Sequence, residues 1–176
     1  MGEAERLLPL VELSPLPLIL ANAGAWFAFQ FVIGYLVARL DGSRLDSEGA
    51  LFRSRRWEEG GRFYQRHFRV RRWKALLPSG GKVFGDFSLS RVESSGGVYL
   101  RRWLAESCRA ELSHWLALLP VVFLGLWNPP VGWAINLAYA VVANLPCIIS
   151  QRYNRPRVWS VMERRGLRAK CVPKAA

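Results

Sequence analysis

Acidic side chains are scarce in this chain of 176 residues, with 13 Asp and Glu against 25 Lys and Arg and a net charge of +12. A basic globular domain of that kind ordinarily points to nucleic acid. Cysteine is scarce too. Cys108, Cys147 and Cys171 form no CxxC pair and have no zinc-ligand spacing, which argues against a disulfide framework or a zinc site and leaves unpaired thiols. Histidine occurs twice, at His67 and His114. No GxSxG elbow, P-loop, GxGxxG or HExxH occurs, so the common hydrolase, nucleotide and zinc-protease signatures are missing. The His-x4-Asp acyltransferase motif is missing as well, because the fifth residue after His67 is Arg72 and after His114 it is Leu119. No internal repeat is visible. No cofactor or metal is expected.

Charge itself is lacking over two long stretches. Residues 13–38 hold no Asp, Glu, Lys or Arg across 26 positions, and residues 112–151 hold none across 40. About 20 apolar residues cross a bilayer core as a helix, so the first stretch predicts one span and the second two. Asn128-Pro129-Pro130 breaks the second stretch, because paired prolines rarely continue a helix. The expectation is an all-α integral membrane protein with three transmembrane helices, 13–38, 112–127 and 131–151. The last two form a hairpin. Pro15 and Pro17 suit a helix entrance, which sets the first helix from near Leu18. The second arm is short for a bilayer, so its helix is expected to begin near Val98 as an amphipathic segment. Pro120 and Pro146 are expected to kink the two arms. Ala21-Asn22-Ala23 resembles a signal-peptidase site, but the chain opens with Glu3, Glu5 and Glu12 against Arg6, which favours a retained span.

What is present in quantity is arginine, and it is segregated. Residues 39–111 carry 16 basic and 9 acidic side chains, and residues 152–176 carry 8 and 1. Basic loops stay cytoplasmic. Three spans put both segments on that side, so the expected location is the cell membrane, multi-pass, N-terminus outside and C-terminus cytoplasmic. From Leu51 to Leu77 aromatic residues alternate with arginines. That pattern suits a segment in the lipid headgroup layer, and stacking on nucleic acid is the competing use. Flanking spans favour membrane lipids, with no nucleic acid partner. Glycines from Gly80 to Gly97 mark turns, with a β-hairpin expected over Lys82–Leu89. The chain is read as one membrane domain.

Few residues suit chemistry. Glu111 and His114 share a helix face at i, i+3, where a carboxylate can orient an imidazole that takes a proton from a hydroxyl. An interfacial pair, with Glu111 held by an arginine, is the alternative. Asn144 lies at a depth where it can line a cavity with His114, or serve as helix-packing glue. Arg152, Asn154, Arg155 and Arg157 form a string suited to phosphate, either of an acyl donor or of anionic lipid.

Two strings are distinctive: Arg109-Ala110-Glu111-Leu112-Ser113-His114-Trp115 and Gln151-Arg152-Tyr153-Asn154-Arg155-Pro156-Arg157. With Leu119–Val122, Tyr139–Pro146, Gly61-Arg62-Phe63 and Val70-Arg71-Arg72-Trp73-Lys74, the chain resembles the glycosyl-4,4′-diaponeurosporenoate acyltransferases, which complete the carotenoid staphyloxanthin. The resemblance covers residues 58–75 and 106–166. The stretch 78–97 and the Asn128-Pro129-Pro130 turn depart from the family pattern.

The resemblance implies transfer of a fatty acyl group, from coenzyme A or a carrier protein, to a sugar hydroxyl of a glycosylated carotenoid or related glycolipid. For that reaction we expect His114 to act as base and Glu111 as its orienter, with His67 the alternative base. Arg109, Arg152, Asn154, Arg155 and Arg157 would hold donor phosphate. Asn144, Tyr153, Arg71 and Trp73 would line the acceptor cavity. Acylation of a lysolipid, or a non-catalytic scaffold on anionic lipid, are the other readings.

Overall fold

The computed structural model describes residues 9–77, 87, 89, 92–94 and 96–167. Every regular element among them is helical. The helices are α1 (Pro15–Ala38), α2 (Arg62–Phe68), α3 (Gly97–Leu116), α4 (Val121–Leu124) and α5 (Pro130–Arg164). Short 3₁₀ turns at Gly42–Arg44, Arg56–Gly61, Val70–Arg72 and Lys74–Leu76 carry the chain between α1 and α3. The β-hairpin expected over Lys82–Leu89 falls almost wholly outside the described residues, as does Cys171.

Two helices, α1 and α5, are long and apolar enough to cross a membrane. α1 begins at Pro15 rather than Leu18, with proline in its first turn, where no backbone N–H is required. Only Trp26 and Val37 of α1 are buried, while Leu16, Ile19, Leu20, Phe27 and Phe31 stand exposed on its surface.

The second arm departs from expectation. α3 starts at Gly97, one residue from the expected Val98, but it ends at Leu116. A turn through Pro120 then leads into the single turn of α4, so residues 112–127 are not one continuous helix. Proline at position 120 has no N–H to continue the α3 ladder and disfavours helix at the residue before it. The third arm departs in the opposite direction. α5 does not stop at Gln151 but runs on to Arg164, through Pro146 and Pro156. The basic string therefore lies within a helix and not in a free tail.

Polar contacts tie these elements together. At one end Asn22 of α1 and Asn128 exchange side-chain amide hydrogen bonds of 2.9 and 2.7 Å, and Trp127 Nε1 donates to Asn22 Oδ1. One turn further along α1, Trp26 Nε1 donates to Asn136 Oδ1 of α5 at 2.8 Å. At the other end Arg109 of α3 donates to the carbonyls of Val37, Ala38 and Leu40, which closes the C-terminus of α1 with a cation. α3 and α5 pack through Leu100, Trp103, Leu104, Val158 and Met162. α2 lies on the other side of α5, where Tyr64 and Val70 meet Ile149 and Tyr153.

Candidate active site

Glu111 of α3 is fully buried, and its carboxylate is spent on two arginines of α5. Arg152 Nε donates to one oxygen at 2.7 Å and Arg155 to the other at 2.7 Å. A second buried carboxylate, Glu58, accepts from Arg152 at 2.6 Å and from the Tyr64 hydroxyl at 3.0 Å. Arg152 also reaches the Leu51 carbonyl, and Arg155 those of Phe52 and Ser107. Two carboxylates and two guanidinium groups thus neutralise each other among α3, α5 and the 51–58 segment. Burial and the Glu58 carboxylate push the Tyr64 phenol well above its usual range. A cleft of about 420 Å³ opens beside this cluster, lined by Ser47, Arg53, Glu58, Trp159 and Glu163 among others, and it does not reach His114.

His114, one turn beyond Glu111, takes a different partner. Its Nδ1 lies 2.9 Å from Asn144 Oδ1 of α5. The Asn144 amide is itself oriented, because its Nδ2 donates to the Ala140 carbonyl at 2.9 Å. An oxygen facing the imidazole can only accept, so Nδ1 carries the proton and Nε2 presents a lone pair. This is the arrangement of a base held by an orienting amide, with Asn144 in the part expected of Glu111. His67 is exposed on α2, where its Nδ1 meets the Phe63 carbonyl one turn back and its ring lies on the Phe63 ring. No side chain from another element orients it among the described residues.

Residues 48–164 match the family model described as glycosyl-4,4′-diaponeurosporenoate acyltransferase. Proteins of that name from Staphylococcus aureus are similar along most of their length. The protein of strain MRSA252 is 34% identical over 147 residues, covering 81% of this chain and 88% of that protein. The protein of strain RF122/ET3-1 is 33% identical over 150 residues, and that of strain USA300 32% over 147. The chain belongs to this family of acyltransferases. No solved structure matches it.

The matched range contains Glu58, Glu111, His114, Asn144 and the whole string from Gln151 to Arg157. The structure gives several of them partners other than the sequence suggests. Glu111 does not orient His114, because Arg152 and Arg155 occupy its carboxylate together with Trp115 Nε1. Arg152 and Arg155 pair with Glu111 and Glu58, and Arg109 with the carbonyls at the end of α1, so all three already have partners within the protein. Asn154 and Arg157 sit elsewhere on α5, beside Tyr153. Of the four residues expected around the acceptor, only Asn144 meets His114. Arg71 donates to the Tyr153 hydroxyl at 2.9 Å, and Trp73 packs against the same group of side chains. Glu58 and Lys74 join these two groups of side chains although the sequence did not single them out. Glu58 had one visible signal, as one of two adjacent acids in an arginine-rich stretch.

Cys108 is buried beside this cluster, and burial pushes its thiol up to about 12. At neutral pH it stays a thiol, which argues against a covalent acyl-cysteine route.

Proposed function

We propose that the protein is a membrane acyltransferase that esterifies a sugar hydroxyl of a glycosylated carotenoid, with His114 as the base. The carrying observation is the His114–Asn144 pair, which leaves Nε2 as a lone-pair acceptor. In this reading His114 Nε2 takes the hydroxyl proton as the sugar oxygen attacks the acyl carbonyl of a thioester. The new C–O bond forms, the C–S bond breaks, and the departing sulfur recovers the proton from His114. The related proteins named glycosyl-4,4′-diaponeurosporenoate acyltransferase support the glycosylated carotenoid as acceptor.

Depth along the helices supports an interfacial reaction. His114 lies five residues past Arg109, and Asn144 eight residues before Arg152, so the pair sits about 7–12 Å on the apolar side of the arginine layer. A glycolipid presents its sugar near that level while its polyene lies among acyl chains. The exposed apolar surface of α1 far exceeds what soluble monomers leave uncovered, and a bilayer provides its cover. We read the chain as crossing three times, with the stretch from Leu112 at the end of α3 through α4 as the second crossing. The 39–111 segment and C-terminus are then cytoplasmic.

Expression in a host that accumulates the glycosyl carotenoid ester tests the reading. Native protein should add one fatty acyl group to the pigment, read by mass spectrometry. His114→Ala should leave the free glycoside. Full acylation by His114→Ala in a well-folded protein would remove His114 from the chemistry.

A further inference from the structure

The Glu58–Glu111–Arg152–Arg155 cluster balances its charges, whereas a second cluster does not. Arg71, Lys74 and Arg157 converge on the buried ring of Tyr153. The Arg157 guanidinium lies 3.5 Å from the ring centroid and the Lys74 ammonium 5.2 Å from it. Arg71 Nε donates to the hydroxyl of the same residue. Lys74 Nζ donates to Asn154 Oδ1 at 2.8 Å, and Arg157 donates to the Tyr153 carbonyl. Among the described residues, no carboxylate stands within ion-pair distance of these three cations. Each therefore keeps unspent N–H donors on one patch of surface.

The cluster is held together against its own repulsion. Burial and the neighbouring Arg157 and Arg71 charges lower the Lys74 ammonium below its usual value, and burial and Arg71 do the same to Arg157. Gly61 makes the close approach possible. It has φ +88°, and a Cβ there would lie 2.7 Å from an Arg157 nitrogen and 2.9 Å from the Tyr153 carbonyl. A fold that neutralises Arg152 and Arg155 with buried carboxylates but brings three further cations together without one has room for an external anion.

We propose that Arg71, Lys74, Arg157 and Asn154 form a phosphate-binding site. Two guanidinium groups and an ammonium supply forked and point-charge donors suited to a diphosphate or phosphomonoester. Arg157 lies thirteen residues beyond Asn144 on α5, about 20 Å along the helix, and five beyond Arg152 on the polar side. An extended pantetheine arm reaches about 15–20 Å by ordinary bond and amide dimensions, which matches the interval between a donor's phosphates and its thioester. The assignment to the acyl donor rests on the acyl-transfer reading, whereas the phosphate site itself does not. The other source of the same chemistry is the headgroup of an anionic phospholipid.

The test uses the full chain in neutral detergent, with inorganic pyrophosphate as the probe and calorimetric titration as the readout. Native protein should bind pyrophosphate, and binding should weaken as salt rises. Lys74→Gln and Arg71→Gln should each weaken it about tenfold, and Lys74→Arg should restore most of it. Lys74 is only partly buried, so its glutamine variant keeps the fold and a donor to Asn154. Two further arms separate the sources. A tenfold rise in KM for acyl-coenzyme A in Lys74→Gln, with kcat retained, assigns the site to the donor. An unchanged KM with weaker flotation on phosphatidylglycerol vesicles, relative to phosphatidylcholine, assigns it to lipid. Absence of pyrophosphate binding, or binding equal in native and variant proteins, overturns the site whatever turnover shows. Pyrophosphate binding that leaves both KM and flotation unmoved also overturns it, as an adventitious ion only. Specific binding with no turnover in any form would instead count against acyl transfer.

Discussion

Replacing Glu111 by glutamine separates the two roles a buried carboxylate can have at this position. In the native protein Glu111 is fully buried, and Arg155, 3% exposed, places its charge on it. Arg152 keeps a second partner in Glu58, but Arg155 keeps only the neutral Phe52 carbonyl and the Ser107 oxygens. Glutamine therefore leaves one guanidinium charge buried and uncompensated. Breaking a buried pair from one side costs about 3–5 kcal/mol. At roughly 2–4 °C of melting temperature per kcal/mol for a chain of this size, the expected fall is about 6–20 °C. Thermal unfolding in neutral detergent, followed by the fluorescence of the eight tryptophans, measures it. Removing the orphaned charge as well, in Glu111→Gln with Arg155→Gln, should recover about 1–3 kcal/mol of coupling. A Glu111→Gln protein that melts within about 2 °C of the native one and has lost turnover would refute the structural role. The carboxylate would then belong to the reaction.

Asn144→Ala removes the acceptor that fixes the His114 tautomer, so kcat should fall about 10²–10⁴-fold, the usual range for acid–base assistance, with the KM for acyl donor little changed. A fall confined to KM would contradict the orienting role. Gly61→Ala should destabilise the protein by about 1–3 kcal/mol, because it forces a Cβ into left-handed backbone and against Arg157 and the Tyr153 carbonyl; denaturant unfolding reads the loss. Cys108→Ser should retain turnover. In the native protein Cys108, held at about 12, should resist alkylation at pH 8, where an ordinary thiol near 8.5 reacts. Stability should be flat with respect to this thiol below about pH 8.5 and fall between there and pH 12, because only the unfolded chain loses its proton in that window.

The two ends of the fold were legible to different degrees. Charge-free stretches located α1 and the first two-thirds of α5, because apolar length is a local property of the chain. The start of α3 was legible from the Gly96-Gly97 pair and the amphipathic run after it. The break at Ala117–Pro120 was expected only as a kink, since one proline does not say whether a helix bends or stops. The extension of α5 past Gln151 was hidden by a change in charge that reads as a helix leaving the bilayer. Its arginines stay helical because Glu58 and Glu111 meet them there. Those partners stand 94 and 41 residues from Arg152 in sequence. For the same reason the i, i+3 spacing of Glu111 and His114 did not disclose their partners. It brought the two onto one face, but the stronger pairing of a buried carboxylate with two guanidinium groups decided where Glu111 turned. His114 was left to Asn144, 30 residues away. Lys74 gave no signal of its own, because one lysine among many arginines acquires meaning only when Tyr153 places it beside Arg71 and Arg157.

The most direct test of the central claim is the pigment mass profile of a host that makes the glycosyl carotenoid ester, carrying native chain, His114→Ala or no gene. Acyl transfer by His114 predicts a species heavier by one fatty acyl group with the native chain and only the free glycoside in the other two. An unchanged glycoside with well-folded native protein in the membrane would contradict it, and so would equal acylation by the alanine variant.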